Sequence, residues 1–205
     1  MPEIVSSPLV LALVAVLAYL AGSIPFGLVM ARLFGLGDLR KIGSGNIGAT
    51  NVLRTGNKLA AFLTLVLDAG KGGLAVLLAR AITGSEDAAQ LAGGLAFIGH
   101  LYPAWIGFKG GKGVATFLGT LLVLHWPLGV TACAIWLVAA LLSRISSAGA
   151  LGAAALSPVA AWFYGYLDMI ALLIVLGALV IWRHRTNIGR ILNGSEPRIG
   201  QSKGP

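Results

Sequence analysis

Long apolar runs alternate with short polar segments along almost the whole chain. A run of about 20 apolar residues is long enough to cross a bilayer as an α-helix. The first run contains Ser23-Ile-Pro-Phe-Gly27, which is expected to kink or widen the helix near its end. The apolar runs occupy residues 8–31, 59–82, 89–106, 114–124, 128–142, 148–163 and 169–182. The pattern predicts an all-α protein, a polytopic bundle of membrane helices.

The number of crossings depends on two runs. Residues 114–124 are too few for a full crossing at about 1.5 Å per residue. Seven transmembrane helices follow if this run and 128–142 each cross, and five if they form a re-entrant pair. All Lys and Arg residues except Lys71 and Arg80 lie in polar regions: 32–58, 109–112, Arg144 and the tail from 183 onward. The positive-inside rule places these regions in the cytoplasm, with the amino terminus outside and the carboxyl terminus cytoplasmic.

Composition agrees with this class. Hydrophobic residues make up 57% of 205 positions and charged residues 11%, whereas soluble domains carry about 25% charge. The spans use most of the length, so the sequence predicts one membrane-embedded domain over 1–205. The net charge of +8 does not indicate a nucleic-acid partner, because the basic residues lie in short loops beside apolar runs.

Three segments predicted on the cytoplasmic side are unusually polar: residues 43–54, 107–116 and 184–190. Each combines glycine with Asn or Thr and with a cation. A site for a phosphorylated substrate needs amides, hydroxyls and guanidinium or ammonium groups together. The three segments therefore predict one functional cluster, and three unrelated surface loops are the alternative.

The basic, glycine-rich turn at residues 107–113 is the strongest candidate for anion binding. Glycines permit backbone amides to form a nest for phosphate oxygens, and Lys109 and Lys112 add charge. A helix that begins at Gly113 would favour the same anion. The alternative is a basic loop that only orients the neighbouring spans. Gly113 stands where a phosphate loop of an NTPase has Ser or Thr, so an NTPase is not indicated.

Other candidate motifs lack their context. Residues 200–204 match the spacing of a nucleophile elbow but have no strand or helix around them. The three histidines have no neighbouring metal-site partners, so no metal is predicted. Asp68 and Lys71 lie i,i+3 inside an apolar run and are predicted to form a buried structural pair, with a position near a catalytic pocket as the alternative.

The three polar segments resemble one known family. The matching residues are Gly43-Ser-Gly-Asn-Ile-Gly-Ala-Thr-Asn51 with Arg54, Gly99-His-Leu-Tyr-Pro103 followed by Lys109-Gly-Gly-Lys-Gly-Val-Ala-Thr116, and His184-Arg-Thr-Asn-Ile-Gly-Arg190 with Glu196. They resemble the bacterial acyl-phosphate:glycerol-3-phosphate acyltransferases, the PlsY family, and the resemblance covers nearly the whole chain. It implies an enzyme of the bacterial inner membrane whose active site faces the cytoplasm.

The resemblance also implies a reaction. A fatty acyl group passes from acyl phosphate to the 1-hydroxyl of sn-glycerol 3-phosphate, which gives lysophosphatidic acid and phosphate in the first acylation step of phospholipid biosynthesis. Phosphate is a good leaving group, so direct attack by the hydroxyl requires no covalent intermediate, metal or cofactor. The expected partners are the two substrates and membrane lipid, with the enzyme that makes acyl phosphate as a further candidate. A transporter of an organic phosphate and a non-catalytic membrane scaffold are the alternative functions.

Residue roles follow as hypotheses. Arg54 and Lys112 would neutralise phosphate, and His184 is the leading candidate base, with a substrate phosphate as its rival. The predicted catalytic residues are Ser44, Arg54, Lys112, His184 and Asn187. The predicted substrate-binding residues are Gly43, Asn46, Thr50, Asn51, Lys109, Gly110, Gly111, Gly113, Thr116 and Arg190, while Asp68, Lys71 and Glu196 are predicted to be structural.

Overall fold

The computed structural model describes residues 1–199, and within them the secondary structure is entirely helical. The 200–204 motif and Lys203 of the basic tail lie outside the described residues. The α-helices are α1 (Pro8–Gly22), α2 (Phe26–Leu33), α3 (Ala49–Leu53), α4 (Lys58–Thr83), α5 (Glu86–Leu101), α6 (Val114–Leu124), α7 (Trp126–Ser143), α8 (Ser146–Phe163), α9 (Ile170–Arg183) and α10 (Arg185–Leu192). Short 3-10 turns cover Leu39–Lys41, Ala104–Ile106 and Leu167–Met169.

The predicted break in the first apolar run is confirmed. α1 ends at Gly22 and α2 begins at Phe26. Pro25 lies between the two helices, and a proline has no N–H to continue a helical ladder. The short run is also confirmed as one helix, since α6 covers Val114–Leu124. The length of the apolar runs was sufficient here, because Pro25 divides the first run and Gly113 and His125 bound α6.

Two polar segments contain structure that the sequence analysis did not predict. Residues 35–58 appear in the sequence as a surface loop, yet Leu39, Asn51 and Val52 are buried and α3 lies within them. Residues 184–190 form most of α10. The expectation of a surface loop is wrong for the buried part of residues 35–58, because polarity alone suggested it, whereas tertiary packing buries one side of α3.

Several helices are long and apolar enough to cross a membrane. Within the described residues these are the broken span Pro8–Leu33 and the continuous helices Lys58–Thr83 and Trp126–Ser143. A fourth candidate is the pair Leu167–Arg183 and Arg185–Leu192, which bends by 60°. The count of seven crossings and the orientation of the termini remain predictions.

The chain divides into two compact units. The N-terminal unit comprises residues 2–125 and the C-terminal unit begins at residue 126. In the N-terminal unit α4 packs against α5 and α6, and α1 packs against α5. Helices approach closely here: a Cβ atom on Gly22 would lie 2.1 Å from the carbonyl oxygen of Ala96, and one on Gly119 would lie 2.1 Å from that of Ala69. Small residues at helix crossings are typical of membrane bundles.

The C-terminal unit is built from α7, α8, α9 and α10. α8 packs against both α7 and α9. Alanines fill the inner face of α8, and a Cβ atom on Gly149 would lie 2.5 Å from the carbonyl oxygen of Trp136. α9 ends at Arg183 and α10 begins two residues later, so His184 sits at the bend between them. This bend positions the third predicted motif.

Candidate active site

The glycine-rich turn at residues 107–113 joins α5 to α6 and ends on the predicted helix start. Gly113 is the N-cap residue of α6, with φ of +83°. A Cβ atom there would also lie 2.3 Å from the ring of Phe97. Glycine is therefore required at this position by both the left-handed conformation and the close packing. Lys112 thus immediately precedes the N-cap of α6. A helix N-terminus favours an anion, and a neighbouring lysine adds positive charge.

The backbone amides of the turn do not form the phosphate nest that its glycines suggested in the sequence. The N–H of Gly110 donates to the carbonyl oxygen of Leu101 at 3.1 Å, and the N–H of Gly111 donates to that of His100 at 3.2 Å. The N–H of Phe108 donates to Pro103 at 3.0 Å. These three amides close the turn against the end of α5. They are not directed towards a ligand, because each backbone donor is already used inside the turn.

The first motif, residues 43–54, is organised by Asn51. Its Oδ1 atom accepts from the N–H of Ser44 at 3.1 Å and lies 3.4 Å from both Ser44 Oγ and Arg54 Nη1. Its Nδ2 atom donates to the carbonyl oxygen of Leu39 at 2.8 Å. Asn51 is buried, whereas Ser44 and Arg54 are half-buried. The structure therefore brings these three predicted site residues together and makes Asn51 the residue that orients the other two.

Gly43, at the start of the same motif, is fitted to these side chains. A Cβ atom on it would lie 2.6 Å from Asn51 Oδ1 and 2.7 Å from Arg54 Cδ. Its φ of +53° is also left-handed. The other two predicted ligands in the motif are less enclosed, because Asn46 is half-buried and Thr50 is exposed. Asn51 is therefore the enclosed residue of the motif, and the side chains of Asn46 and Thr50 are the more accessible ones.

The segment just before the first motif contacts the glycine-rich turn in the N-terminal unit. The guanidinium of Arg40 donates to the carbonyl oxygen of Lys109 at 3.4 Å. Lys109 is exposed and Lys112 is half-buried. Arg40 was not among the predicted site residues, because a lone arginine in a polar segment gives no sequence signal for a contact 69 positions away. This contact adds a cation beside the turn.

A buried ionic cluster lies behind the turn. Lys71 Nζ is 2.9 Å from Asp68 Oδ1, so the predicted pairing within α4 is present. Lys71 also donates to the carbonyl oxygen of Ile24 at 2.8 Å, at the break between α1 and α2. His100 Nδ1 lies 3.5 Å from the same Asp68 oxygen. All three ionisable side chains are buried. His100 lies in the quoted 99–103 motif but was not predicted as a site residue, since its long-range contact with Asp68 has no local signature.

Thr116 has a different environment from the one predicted. It is completely buried, and its hydroxyl donates to the carbonyl oxygen of Asp68 at 2.8 Å. This bond ties the first turn of α6 to α4. Substrate contact by the Thr116 side chain is not what this geometry favours, because its hydroxyl already has a partner in the helix interface.

The third motif is organised by Glu196 in the C-terminal unit. Its Oε1 atom accepts from Ser147 Oγ at 2.7 Å and from Asn187 Nδ2. Its Oε2 atom accepts from Arg190 Nε at 2.7 Å. Burial opposes ionisation of this carboxyl, but the donors from Ser147, Asn187 and Arg190 outweigh it and hold the pKa of Glu196 below its ordinary value. Asn187 and Arg190 are thus brought together by a residue predicted to be structural.

His184 lies at the bend between α9 and α10 and is buried. Its Nδ1 atom is 2.8 Å from the carbonyl oxygen of Val180. A carbonyl can only accept, so Nδ1 carries a proton and Nε2 is the nitrogen able to take one. This tautomer is the one that a general base at Nε2 requires.

Comparison with known proteins identifies the family. The sequence model of a family described as glycerol-3-phosphate acyltransferase matches residues 12–194. The chain is 65% identical over 98% of both chains to a glycerol-3-phosphate acyltransferase of Jannaschia sp. (strain CCS1). It is 60% identical to the protein of that name from Dinoroseobacter shibae, over 99% of this chain and 100% of the relative.

The fold has solved counterparts. A crystal structure of PlsY, an integral membrane glycerol 3-phosphate acyltransferase in its glycerol 3-phosphate form, superposes with a TM-score of 0.87 at 40% identity, over 93% of this chain and 96% of that chain. The lysophosphatidic acid form superposes with a TM-score of 0.86 at 38% identity, over 93% and 95%. The all-helical fold and the likeness of nearly the whole length agree with the family match, and this chain belongs to the PlsY family of glycerol-3-phosphate acyltransferases.

Proposed function

We propose that this chain transfers a fatty acyl group from acyl phosphate to the 1-hydroxyl of sn-glycerol 3-phosphate at the cytoplasmic face of the bacterial inner membrane. The general activity, acylation of glycerol 3-phosphate for phospholipid biosynthesis, follows from the family. The acyl-phosphate donor and the membrane face are the finer part of the proposal. They are supported by the resemblance of all three motifs to the acyl-phosphate-dependent family and by the basic residues that surround those motifs.

One observation carries the assignment of glycerol 3-phosphate to the N-terminal unit. The basic turn ends at the N-terminus of α6, and Arg40 of the neighbouring segment contacts its backbone. Lys112 and the first amides of α6 would hold the phosphate of glycerol 3-phosphate. The relative with a solved glycerol 3-phosphate form supports this ligand. Arg54 would neutralise charge on the acyl phosphate, with Ser44 oriented by Asn51.

The chemistry balances without a cofactor. The 1-hydroxyl oxygen attacks the acyl carbon, the bond between that carbon and the phosphate oxygen breaks, and inorganic phosphate leaves with the electron pair. The hydroxyl proton passes to His184 Nε2 or to a phosphate oxygen of the substrate. Donors held in place near the developing oxyanion are worth roughly 2.7–4 kcal/mol each where they have been removed. Asn187, held by Glu196, is the proposed donor from the third motif.

Incubation of the purified protein with palmitoyl phosphate and glycerol 3-phosphate tests the reaction. We expect release of phosphate and formation of lysophosphatidic acid, both dependent on glycerol 3-phosphate. Palmitoyl-coenzyme A in place of palmitoyl phosphate is the donor control and should give no product. Phosphate release without glycerol 3-phosphate would contradict the transferase. Uptake of glycerol 3-phosphate into proteoliposomes without acylation would instead support the transporter.

Replacement of His184 by Gln tests the base. If His184 takes the proton, turnover should fall by about 10²-fold or more, and the acidic limb of the pH profile should be lost. His125→Gln is the matched control, because His125 caps the opposite end of α6 from Gly113. Unchanged turnover and an unchanged pH profile in His184→Gln would assign the proton to the substrate phosphate.

The two lysines of the turn separate substrate contact from headgroup contact. Lys112→Ala should raise the KM for glycerol 3-phosphate by about tenfold or more, because a half-buried ammonium next to a helix N-terminus is only weakly screened. Lys109→Ala should change it by less than about threefold, because the side chain of Lys109 is exposed. A larger effect at Lys109 would reverse the assignment.

A further inference from the structure

The buried side chains behind the glycine-rich turn connect three segments of the N-terminal unit. Asp68 and Lys71 belong to α4, His100 lies in the last turn of α5, and Ile24 lies at the break between α1 and α2. One oxygen of Asp68 lies 2.9 Å from Lys71 Nζ and 3.5 Å from His100 Nδ1. A cluster with this many ionisable groups is costly at membrane depth and is retained only where its partners compensate each other. The cluster has no role in the proton transfer described above.

His100 is the member of the cluster that reaches the turn. Its carbonyl oxygen accepts the N–H of Gly111. Its imidazole also lies directly against the same glycine, because a Cβ atom on Gly111 would come within 2.3 Å of Nε2 and 3.1 Å of Cε1. The backbone of Gly111 does not have a positive φ, unlike that of Gly107 and Gly113 in the same turn. The imidazole ring, rather than backbone conformation, therefore excludes a side chain at this position.

The turn is fixed at both of its ends by residues linked to Asp68. On the α5 side, His100 holds Gly111 and faces the Asp68 carboxylate. On the α6 side, Thr116 donates to the main-chain carbonyl of Asp68. Lys112 lies between these two attachments. A displacement of His100 would thus move the backbone that carries the Lys112 ammonium, while the first motif keeps its own organiser, Asn51.

We infer that His100, anchored by Asp68, is a positioning residue that fixes the glycine-rich turn and thereby sets the affinity for the phosphate of glycerol 3-phosphate. The part of this inference that concerns affinity rests on the proposed function of the turn. The part that concerns the backbone does not. The imidazole does not touch the reacting atoms in this assignment. It acts through the geometry of Gly111 and Lys112.

The first measurement is hydrogen–deuterium exchange of the peptide covering residues 107–113. The variants are His100→Ala, His100→Asn and the control Val76→Ala. Asn keeps an amide near the position of Nδ1, so it can still face Asp68, whereas Ala removes that group. Val76 is fully buried on α4 and lies next to Gly93 of α5, with no contact to residues 107–113 among those described. Each variant is first checked for folding by its thermal transition in detergent.

We expect exchange at the Gly110 and Gly111 amides to rise by about tenfold in His100→Ala, because the local opening of the turn becomes easier. His100→Asn should give a smaller rise, and Val76→Ala should leave this peptide unchanged even where it lowers the thermal transition. If His100→Ala exchanges like the unmodified chain, or if Val76→Ala shows the same rise, the positioning role is refuted. If Ala does not fold, the comparison of Asn with Val76→Ala decides by the same criterion.

The second measurement is kinetic. His100→Ala should raise the KM for glycerol 3-phosphate by about tenfold or more, since small misplacements of a substrate-holding group have effects of this size. The KM for palmitoyl phosphate should stay within about twofold, and His100→Asn should restore most of the affinity for glycerol 3-phosphate. Equal rises in both Michaelis constants, or no rise in either, would overturn the inference. An unmodified chain without glycerol 3-phosphate-dependent turnover would instead refute the proposed function, with the exchange result still valid.

Coupling between His100 and Gly111 gives the sharpest criterion. Gly111→Ala places a methyl group against the imidazole, so it should weaken glycerol 3-phosphate binding in the presence of His100. In His100→Ala the methyl group has room, and its additional effect should be less than about twofold. Residues in contact show such non-additive effects, whereas independent sites multiply their fold-changes. Fold-changes that multiply would show that the ring does not constrain Gly111.

Discussion

Each unit holds a predicted motif in place with one buried carboxylate, but the partners of the two carboxylates differ. Asp68 lies inside the long helix α4 and faces two basic side chains, Lys71 and His100. Glu196 lies beyond the last helix and accepts from the neutral donors Ser147 and Asn187 and from one cation, Arg190. Asp68 is thus part of an ionic cluster across several helices, whereas Glu196 ties α8 to α10 mainly through hydrogen bonds.

The difference has an energetic meaning. An ionic pair in an apolar interior stabilises little overall, but removal of one partner leaves a charge with nothing to compensate it. Loss of one neutral donor to a carboxylate costs less, because no opposite charge is left uncompensated and the remaining donors still hold the carboxylate. The N-terminal unit should therefore depend more steeply on single substitutions in its cluster than the C-terminal unit does.

The largest expected effect is that of Lys71→Met. It should lower the free energy of unfolding by about 3–5 kcal/mol, because Asp68 is left buried with His100 alone. The double variant Asp68→Leu and Lys71→Met should be more stable than the single variant, since no buried charge from the pair remains. Chemical unfolding in detergent micelles measures both. A double variant less stable than Lys71→Met would contradict the pairing.

Glu196→Gln is expected to have a smaller effect. It removes the ion pair with Arg190 and gives the Ser147 and Asn187 donors a weaker acceptor, at a cost of about 1.5–3 kcal/mol in unfolding free energy. Turnover should also fall, because Asn187 loses the carboxylate that orients it. Ser147→Ala is the matched control, since it removes one donor to Glu196 without changing charge. A loss as large as that of Lys71→Met would remove the contrast between the two carboxylates.

The dependence of stability on pH tests the contribution of Glu196. Because the pKa of Glu196 is lowered in the folded state, its contribution to stability is present above its ordinary value of about 4.5 and is lost as the pH falls through the lower folded value. Stability of the unmodified chain should therefore decline more steeply between about pH 5 and pH 3 than that of Glu196→Gln. If the unfolding free energies of the unmodified chain and of Glu196→Gln changed in parallel over this range, the ionised form of Glu196 would make no contribution to stability.

The smallest effect is expected at the N-terminus of α5. Asp87 accepts from the N–H groups of Val5 and Ser6 and from the Ser6 hydroxyl at 2.9–3.0 Å. Burial opposes its ionisation, but these bonds and one from Ala88 hold the pKa of Asp87 well below its usual range. Asp87→Asn keeps one acceptor oxygen and should cost about 1 kcal/mol. The thermal transition measures it, with the exposed Asp38→Asn as control, and a cost above that of Glu196→Gln would contradict the order.

Much of the fold could be predicted from the sequence. Apolar runs of helical length gave the positions of α4, α6, α8 and α9 to within a few residues, and Pro25 marked the break between α1 and α2. Polar segments were harder to predict: α3 and α10 are short helices whose stability comes from packing rather than from their own sequences. Composition is an average over the chain. It therefore indicated a membrane protein correctly, but it could not show where short helices such as α3 and α10 lie.

The candidate site was predicted unevenly. Gly113 as the start of α6 and the pairing of Asp68 with Lys71 were predicted correctly, because both depend on residues close in sequence. Asn51 and Thr116 were predicted to bind substrate, and the structure gives their polar groups internal partners. His100 and Arg40 were missed, because their partners are many positions away in the chain.

The sequence by itself therefore determined the class of protein, the helical runs and the family, since these depend on composition, periodicity and motifs that are contiguous in the chain. The tertiary structure alone decided which polar groups meet. The amides of Gly110 and Gly111 look available in the sequence, but they become internal donors because α5 ends beneath them. A backbone donor takes the nearest acceptor in space, and no local pattern specifies what a helix from another part of the chain will place there.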